Sequence, residues 1–446
     1  MKESSNIHTA KSNDLKHPDR VPYLLACDAE GNMFEEEDYE VIGRSGTRLM
    51  GLKPEDFIEL PEGSEFFNMP CRHPYGMNKH TGEVELLEDV YAVAAFVSPA
   101  YTQTFMPAYE ETDGAETLPL YAYTAVGWLD DKFYTTAVRI DPDPRQDFEN
   151  FDCEEIEQKT VETMQEFSEN RLIQHLGANC SLTYSCPAAR NFFMGRWEAP
   201  IPLSPACNSN CLGCISFQPD EHGIDAMQNR IDFIPYIEEV IEMAVPHLEN
   251  APLPIVSFGQ GCEGEPLLVW QLIRDVIVAI RKRTKRGIIN LNTNGSKPKA
   301  VDELFKAGLD SIRVSMNSVR KDVYNKYYLP NNYEYEDVIE SIKVARQHGK
   351  WASINYFTLP GFTDNKEEFE TLRQVIRYTD LSMIQWRNFN IDLEWYLSKL
   401  GMEDTGEGLG VAEVMEAIHE EFPHIAYGYF NPPIEVQEKY NALREK

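Results

Sequence analysis

The chain has no apolar run near the roughly 20 residues that a helix needs to cross a bilayer. Residues 1–20 are polar and of mixed charge, and they lack the apolar stretch of a signal peptide. Cysteine is sparse, since nine in 446 residues are too few for a disulfide-dense scaffold. These absences predict a cytoplasmic protein, in a reducing compartment where thiols stay available as metal ligands.

Basic side chains are also in short supply. The sequence has 41 Lys and Arg against 73 Asp and Glu, a formal net charge of −32. Such a surface repels phosphate backbones, which makes free nucleic acid an unlikely partner. One basic run, residues 281–286, is interpreted as the cation-rich end of a helix rather than a nucleic-acid patch.

Three cysteines stand close together, Cys207, Cys211 and Cys214, with the spacing C-x3-C-x2-C. Three thiolates on a four-iron cubane leave one iron open to a small molecule. Two alternatives stay open from spacing alone. Structural zinc needs four ligands, and His222 is near enough to complete a Cys3His set. The second alternative is that the cysteines are incidental core residues.

The N-terminal third predicts a separate β-rich domain over residues 21–150, after a disordered segment at residues 1–20. Two hairpins are indicated, one from Tyr23 through Phe34 and one from Leu120 to Ile140. A linker over residues 151–196 follows. It has helical spacing from Glu154 to Leu176 and is predicted to be irregular from Gly177 to Trp197.

Short apolar strands then alternate with helices six times. The strands are predicted at residues 201–204, 254–258, 288–292, 311–316, 352–357 and 383–386. This alternation predicts an α/β fold, a partial (β/α)6 TIM-type barrel over residues 197–400, with a C-terminal extension at 401–446. Active sites of such folds lie at the carboxyl ends of the strands. The cysteine loop directly follows the first strand, which favours the cluster over zinc.

The cysteine loop resembles the signature of radical S-adenosylmethionine (radical SAM) enzymes, and the resemblance covers roughly residues 195–400. The second strand ends in a glycine-rich turn that contains Gly261 and ends in Gly264-Glu265-Pro266. This end is similar to the family motif that holds the amino group of S-adenosylmethionine. The simpler interpretation is a turn that caps the next helix. Cys262-Glu263 looks inserted, so Glu263 competes with Glu265 for the role.

Further strand ends carry the resemblance. Thr293-Asn294-Gly295 is similar to the family turn after the third strand, and Asn294 is a predicted cofactor contact. Ser315 and Asn317 match positions where relatives bind the ribose and carboxylate of the cofactor; a buried network among themselves is the alternative. Pro360 lies in a Pro-Gly turn like the one near the adenine. Gly213 departs from the family, which has an aromatic residue there; Phe217 is the predicted substitute.

The resemblance implies a [4Fe-4S] cluster on Cys207, Cys211 and Cys214. It also implies reductive cleavage of S-adenosylmethionine, hydrogen abstraction from a substrate, and an electron donor such as ferredoxin or flavodoxin. The substrate stays open, with a peptide, a protein or a small metabolite favoured. An RNA-modifying enzyme and a non-catalytic metal-binding module are the alternatives. Polar residues of the sixth strand are the predicted substrate contacts: Gln385, Arg387, Asn388, Asn390 and Asp392.

Cys262 is the predicted catalytic cysteine, because it shares the turn with Glu265. It would donate a hydrogen atom or form a covalent intermediate, and simple space-filling is the alternative. No cysteine follows it, which excludes a cysteine-rich C-terminal extension with auxiliary clusters. The remaining cysteines have no tight ligand spacing that predicts a second cluster: Cys27, Cys71, Cys153, Cys180 and Cys186.

Overall fold

The computed structural model describes residues 16–444. Residues 16–20 form no helix or strand, and the Nδ1 atom of His17 lies 2.7 Å from the carbonyl oxygen of Phe57. The rest of the segment predicted to be disordered, residues 1–15, lies outside the described residues. No helix in the described part of the chain has the length and apolar character required to cross a membrane.

The N-terminal part is built of antiparallel strands, as the sequence predicts. The strands are β1 (Tyr23–Cys27), β2 (Met33–Ser45), β3 (Arg48–Gly51), β4 (Ile58–Glu59), β5 (Glu65–Met69), β6 (Arg72–Asn78), β7 (Val84–Leu86), β8 (Tyr91–Phe96), β9 (Tyr101–Gln103), β10 (Met106–Pro107), β11 (Tyr109–Glu111), β12 (Val126–Leu129), β13 (Lys132–Thr135) and β14 (Ala137–Arg139). Twelve of them form one sheet, and β9 pairs with β14. Both predicted hairpins are present, β1 with β2 and β12 with β13. Asp130 and Asp131 turn the second one, each with positive φ.

A helical segment connects this sheet to the second half. Its helices are α1 (Cys153–Glu166), α2 (Arg171–His175), a π-helix (Leu176–Thr183) and α3 (Pro187–Phe193). The single predicted helix is divided in two: α1 ends at Glu166, and the Asn170 side chain accepts from the Ile173 amide and begins α2. The irregular structure predicted for residues 177–197 was wrong, since the π-helix and α3 occupy most of it.

The second half is a parallel sheet with helices between its strands. The strands are β15 (Glu198–Ile201), β16 (Ile255–Phe258), β17 (Ile288–Thr293), β18 (Ser311–Met316), β19 (Trp351–Thr358), β20 (Met383–Asn388) and β21 (Ala426–Tyr427). The helices are α4 (Ile237–Asn250), α5 (Trp270–Arg283), α6 (Pro298–Ala307), α7 (Lys321–Tyr328), α8 (Tyr335–Gln347), α9 (Lys366–Thr379), α10 (Leu393–Leu400), α11 (Val411–Glu421) and α12 (Ile434–Arg444). Each strand pairs in parallel with the next along the chain. Strands β16 and β17 are buried throughout, as expected of a sheet covered on both faces.

Two details differ from the predicted six-stranded barrel. The C-terminal extension adds a seventh strand, the short β21, beside β20. Its two residues are too few to show a periodic pattern in the sequence. The first strand runs from Glu198 to Ile201, three residues before the prediction. Strand β15 is an edge strand, where Pro200 is tolerated, and the amides of Leu203 and Ser204 bond to a carboxylate instead of a strand.

The N-terminal sheet packs against the carboxyl end of β20. The Thr102 hydroxyl donates to the Trp386 carbonyl at 2.8 Å, and the Gln103 amide donates to the side chain of Asn388 at 2.7 Å. Arg72 forms an ion pair with Asp392 at 2.8 Å, and both side chains are 1% exposed. Asn388 and Asp392, predicted substrate contacts, therefore have partners in the N-terminal half, on β9 of the two-stranded sheet and on β6 of the twelve-stranded sheet.

The basic run is part of the fold. Helix α5 ends at Arg283, which confirms the interpretation of residues 281–286 as a helix end. Arg281 forms an ion pair with Asp310, and Arg286 donates to the carbonyl of Ala251 at 2.7 Å. Two of the basic side chains in this run therefore have partners within the protein.

His247 on α4 gives the fold a pH dependence. Its Nε2 atom lies 2.7 Å from the Trp197 carbonyl oxygen, and burial lowers its pKa to about 4. The unfolded chain, with an ordinary histidine pKa near 6.5, binds the proton more readily between these two values. The titration of His247 should therefore lower the free energy of unfolding by about 3 kcal/mol as the pH drops from 7 to 4.

Urea unfolding at several pH values checks this expectation, with His247→Gln as the comparison. Glutamine keeps an N–H donor for Trp197 but does not titrate. The decrease in the free energy of unfolding between pH 7 and pH 4 should be smaller in that variant by the contribution of His247. Equal acid losses in both proteins would contradict the assignment.

Candidate active site

The cysteine loop begins just after β15 at the carboxyl edge of the parallel sheet. Its backbone is fixed by the end of α7, since the amides of Asn210 and Leu212 donate to the carbonyls of Tyr328 and Tyr327, each at 3.0 Å. The Ser209 hydroxyl lies 2.8 Å from the hydroxyl of Tyr333. The loop is therefore held on a rigid scaffold, where a catalytic loop of a barrel belongs.

The spacing of the three thiols distinguishes between metals. Tetrahedral zinc, with Zn–S bonds of about 2.3 Å, holds its sulfur ligands about 3.8 Å apart. Cys207, Cys211 and Cys214 do not form a group with all sulfurs within 4.8 Å of one another, although each is a described residue. The proposed fourth zinc ligand, His222, has its Nδ1 atom 2.8 Å from the Gln218 side chain. In this conformation the three sulfurs are therefore not gathered around the position of one tetrahedral zinc ion.

Burial raises the pKa of two of these thiols. It raises the pKa of Cys207 to about 11, and the neighbouring Glu265 carboxylate acts in the same direction. The pKa of Cys211 is raised by burial as well. Thiols of this kind stay protonated until a metal binds, so loading the site releases protons.

Glu263 shapes the glycine-rich turn after β16. Its buried carboxylate accepts four backbone amides: Leu203 at 2.8 Å, Ser204 at 2.9 Å, Gly259 at 2.6 Å and Gln260 at 3.0 Å. These four bonds fill the lone-pair sites of a carboxylate. Glu263 therefore holds the turn against the start of the cysteine loop and has no free acceptor for a ligand.

Glu265 lies deeper in the same turn. One carboxylate oxygen accepts from the Leu267 amide at 2.9 Å and from the Thr293 hydroxyl, and the other accepts from the Asn294 amide at 2.8 Å. Glu265 thus caps the following short helix, as the simpler interpretation held, and one lone-pair site remains. Burial raises its pKa to about 7 against these bonds, which leaves the carboxylate suited to a cationic partner.

Asn294 joins the third strand to the cysteine loop. Its side-chain amide donates to the Asn208 side chain at 2.8 Å and to the Ser209 hydroxyl at 3.1 Å. Together with the Glu265 bonds, these contacts connect three strand-end turns into one network. The structure therefore brings together the cysteine loop, Glu265 and Asn294, as the sequence predicts.

Gly264 explains why this turn needs glycine. A Cβ atom there would overlap the Ala206 carbonyl, lying 2.5 Å from its carbon. The Gly264 amide donates to Ser204 at 2.6 Å, so the two backbones are tied at this point. The glycine permits close approach of the cysteine loop.

Gly264→Ala is expected to displace the loop and to lower stability by roughly 1–3 kcal/mol, because overpacked side chains force the backbone to shift. Iron bound per chain after anaerobic reconstitution should fall. Gly51→Ala is the matched control, since its Cβ would meet only Met77, at 4.0 Å. Full iron content in Gly264→Ala would show that the loop tolerates the shift.

Comparisons with known proteins found matches to part of the chain. The family model described as Radical SAM superfamily matches residues 201–374, from the last residue of β15 into α9. This match identifies residues 201–374 as a radical SAM domain. A GTP 3',8-cyclase of Petrotoga mobilis is 28% identical over 170 residues, 38% of this chain and 49% of that protein. A probable GTP 3',8-cyclase of Thermococcus kodakarensis is 33% identical over 106 residues, 23% of this chain and 32% of that protein.

The chain matches no more than about half the length of these two relatives. Solved structures similar to it include methylornithine synthase, 14% identical, covering 55% of this chain and 68% of that chain with a TM-score of 0.38. SuiB of Streptococcus suis bound to S-adenosylmethionine is 15% identical, covering 62% and 66% with a TM-score of 0.37.

The other predicted cofactor residues lie on neighbouring strand ends of the radical SAM domain. Asn317 is 1% exposed; its Nδ2 donates to the Tyr396 hydroxyl at 3.2 Å, and its Oδ1 has no partner. Ser315 is half-buried on β18. Pro360 precedes Gly361, whose Cβ would lie 2.6 Å from the Ser45 oxygen. The predicted adenine turn therefore abuts the N-terminal sheet.

Gly213 has no room for the aromatic residue that radical SAM relatives carry there. A Cβ atom would lie 2.5 Å from Cδ1 of Ile391 and 2.9 Å from the Tyr327 hydroxyl. Ile391 and Tyr327 fill that space. Phe217, the predicted substitute, is 47% exposed and lies under the Arg230 guanidinium, 5.3 Å from the ring centre.

A buried polar network lines the radical SAM barrel. Glu198 accepts from the Ser257 hydroxyl at 2.5 Å and from the Asn431 side chain at 2.7 Å. Arg313 donates to Gln385 at 2.8 Å. Several atoms around this network have no partner: Oε2 of Glu198, Nδ2 of Asn292, Nε2 of Gln385 and Nη1 of Arg387. Sequence reasoning missed Glu198 and Asn431, which lie outside the motifs; the alternation Asn290, Asn292 in β17 was the available signal.

Cys262 faces the helical segment. It is 4% exposed, and its thiol, the thiol of Cys180 and a ring nitrogen of His175 all lie within 4.8 Å of one another. Hydrogen bonding with Cys262, together with the nearby His175, lowers the pKa of Cys180 below its usual value. The catalytic role predicted for Cys262 stays a prediction.

Proposed function

We propose that Cys207, Cys211 and Cys214 hold a [4Fe-4S] cluster and that the chain is an enzyme that cleaves S-adenosylmethionine reductively. The supporting observation is the hydrogen-bonded network that joins the cysteine loop to Glu265 and Asn294 at the carboxyl edge of the sheet. When bound, the cluster supplies the electron that breaks a sulfur–carbon bond of S-adenosylmethionine, which leads to hydrogen abstraction from the substrate.

The chain's own residues suit this role. The three sulfurs are not gathered around the position of one zinc ion, and their loop is held by α7. The remaining acceptor site of Glu265 would take an ammonium hydrogen, since a positive charge favours the ionised carboxylate. The unpartnered Oδ1 of Asn317 is available to a hydroxyl or amine donor. Gly261 and Gly264 would keep the turn close to the loop.

The substrate would occupy the polar barrel interior. Arg313 and Arg387 are cations there, and Nη1 of Arg387 and Nε2 of Gln385 lack partners. Planar guanidinium groups suit carboxylate or phosphate oxygens. We therefore propose a small polar metabolite or a peptide with an anionic group. A ferredoxin or flavodoxin would supply the electron, and the cytoplasm is the proposed location.

Electron paramagnetic resonance on anaerobically reconstituted, dithionite-reduced protein tests the proposal. The expected result is a [4Fe-4S]+ signal that changes when S-adenosylmethionine is added, because an open iron binds the cofactor. An unchanged signal would contradict cofactor binding at the cluster. No signal, with zinc bound to the loop cysteines, would support a structural loop and overturn the enzymatic proposal.

Glu265→Gln is expected to weaken S-adenosylmethionine binding. A hydrogen bond to a charged group contributes about 1.5–3 kcal/mol, which corresponds to a roughly 10- to 150-fold higher Kd. Isothermal titration on folded protein of matched iron content measures the change. The exposed Glu221, replaced by glutamine, is the control. An unchanged Kd in Glu265→Gln would limit Glu265 to capping the helix.

A further inference from the structure

The helical segment and the glycine-rich turn meet at a second group of metal-ligand side chains. His175, Cys180 and Cys262 each offer one ligand atom, and these atoms lie within 4.8 Å of one another. Among the described residues, this is the single group of three or more such side chains whose ligand atoms come this close together. Its spacing is near that of ligands around one tetrahedral ion, in contrast to the wider cysteine loop.

The π-helix creates this arrangement. Its hydrogen bonds join residues five apart, as in the bond from the Tyr184 amide to the Asn179 carbonyl at 2.9 Å. In this geometry His175 and Cys180, also five apart, come to the same face, which an α-helix would not allow. Such segments are rare and are frequent at functional sites. This is why the spacing along the sequence did not reveal the group.

The histidine has an unused nitrogen. His175 is 9% exposed, and its Nε2 atom is buried with no hydrogen-bond partner. Its Nδ1 atom lies 3.0 Å from the amide group of Asn179. With that amide turned so that its oxygen accepts Nδ1–H, the tautomer with Nε2 as ligand is fixed, the usual outer-shell arrangement of metal-bound histidine. A buried polar atom without a partner is unfavourable unless a ligand completes it.

We propose that Nε2 of His175 and the thiolates of Cys180 and Cys262 bind one Zn2+ ion. Two thiolates neutralise the ion's charge, as a buried site requires, since Cys180 and Cys262 are 1% and 4% exposed. Sulfur and imidazole ligands select zinc over magnesium or calcium. Two cysteines and one histidine form a known three-ligand zinc set, with water in the fourth position. Binding releases the protons that the two thiols still carry.

The ion would link the helical segment to the turn that carries Glu263 and Glu265. Cys262 lies three residues before Glu265, and its carbonyl accepts the Ile231 amide at 2.8 Å. A zinc ion would therefore tie the turn to the helical segment, in addition to the contacts that the turn makes with the cysteine loop. This role is independent of the proposed iron–sulfur chemistry.

Metal analysis of the full chain tests the site separately from the cluster. In a variant with Cys207, Cys211 and Cys214 replaced by alanine, zinc is expected at about one ion per chain, because the loop ligands are gone. Adding Cys180→Ser, or His175→Ala, should remove it. Cys186→Ser is the matched control, a half-buried thiol outside the group, and should retain it.

A spectroscopic measurement does not depend on variant folding. X-ray absorption at the zinc edge of the wild-type chain should show Zn–S distances of about 2.3 Å and a Zn–N distance of about 2.0–2.1 Å. A disulfide between Cys180 and Cys262 in anaerobically prepared protein would overturn the proposal. So would the absence of zinc from a folded variant that lacks the three loop cysteines. Loss of zinc in Cys186→Ser would overturn the three-ligand assignment.

Discussion

Cys211→Ala is expected to remove the iron–sulfur cluster and to reduce cleavage of S-adenosylmethionine to background. Each cubane iron outside the open one needs its thiolate, and the loop offers three ligands. Cys211 lies at the centre of the loop, beside the Leu212 amide that α7 holds. Iron analysis, the reduced paramagnetic signal and the release of 5′-deoxyadenosine measure the effect.

Cys153→Ala is the control for this experiment, because Cys153 is exposed on α1. It should keep the iron content and activity of the wild type. The variants at Cys207 and Cys214 should behave as Cys211→Ala does. A Cys211→Ala protein that still showed a signal responsive to S-adenosylmethionine would place the cluster elsewhere.

Glu263→Ala is expected to lower the free energy of unfolding by at least about 4 kcal/mol. The substitution leaves four buried amides without their acceptor, and each such loss costs about 1–3 kcal/mol. Whole domains are stable by only about 5–15 kcal/mol. Most of the stability of the parallel-sheet domain would therefore be lost. Urea unfolding followed by circular dichroism measures the change.

Glu263→Gln separates the hydrogen bonds from the packing. Its single amide oxygen can accept from one pair of amides, so its loss should be roughly half that of alanine. The exposed Glu249 on α4, replaced by alanine, is the control and should change stability by less than about 0.5 kcal/mol. If Glu263→Ala lowered the free energy of unfolding by less than about 0.5 kcal/mol, water would have replaced the carboxylate as acceptor of the four amides.

The barrel could be predicted because apolar strands and amphipathic helices alternate strongly, and the cysteine loop stands at a strand end. The roles of Glu263 and Glu265 could not be separated, because both are glutamates in one turn and only the fold shows which amides each accepts. The predicted position of β15 was wrong because Leu203 and Ser204 look like strand residues in the sequence. In the structure their amides donate to the Glu263 carboxylate instead of to a neighbouring strand.

Side chains distant along the chain were the least predictable. His175 and Cys180 meet through a π-helix, whose hydrogen-bond pattern leaves no periodic apolar signal. Asn431 reaches the barrel from beyond the last predicted strand. Such contacts arise from tertiary packing, which local sequence patterns do not contain.

The polar interior extends past the segment that defines the family. Residues 201–374 contain the cysteine loop, Glu265 and Asn294, but Glu198 precedes them, and Arg387 and Asn431 follow. The residues proposed to hold the cofactor therefore lie inside this segment, whereas part of the proposed substrate cavity lies outside it. A fragment trimmed to the family segment would keep the first group and lose Glu198, Arg387 and Asn431.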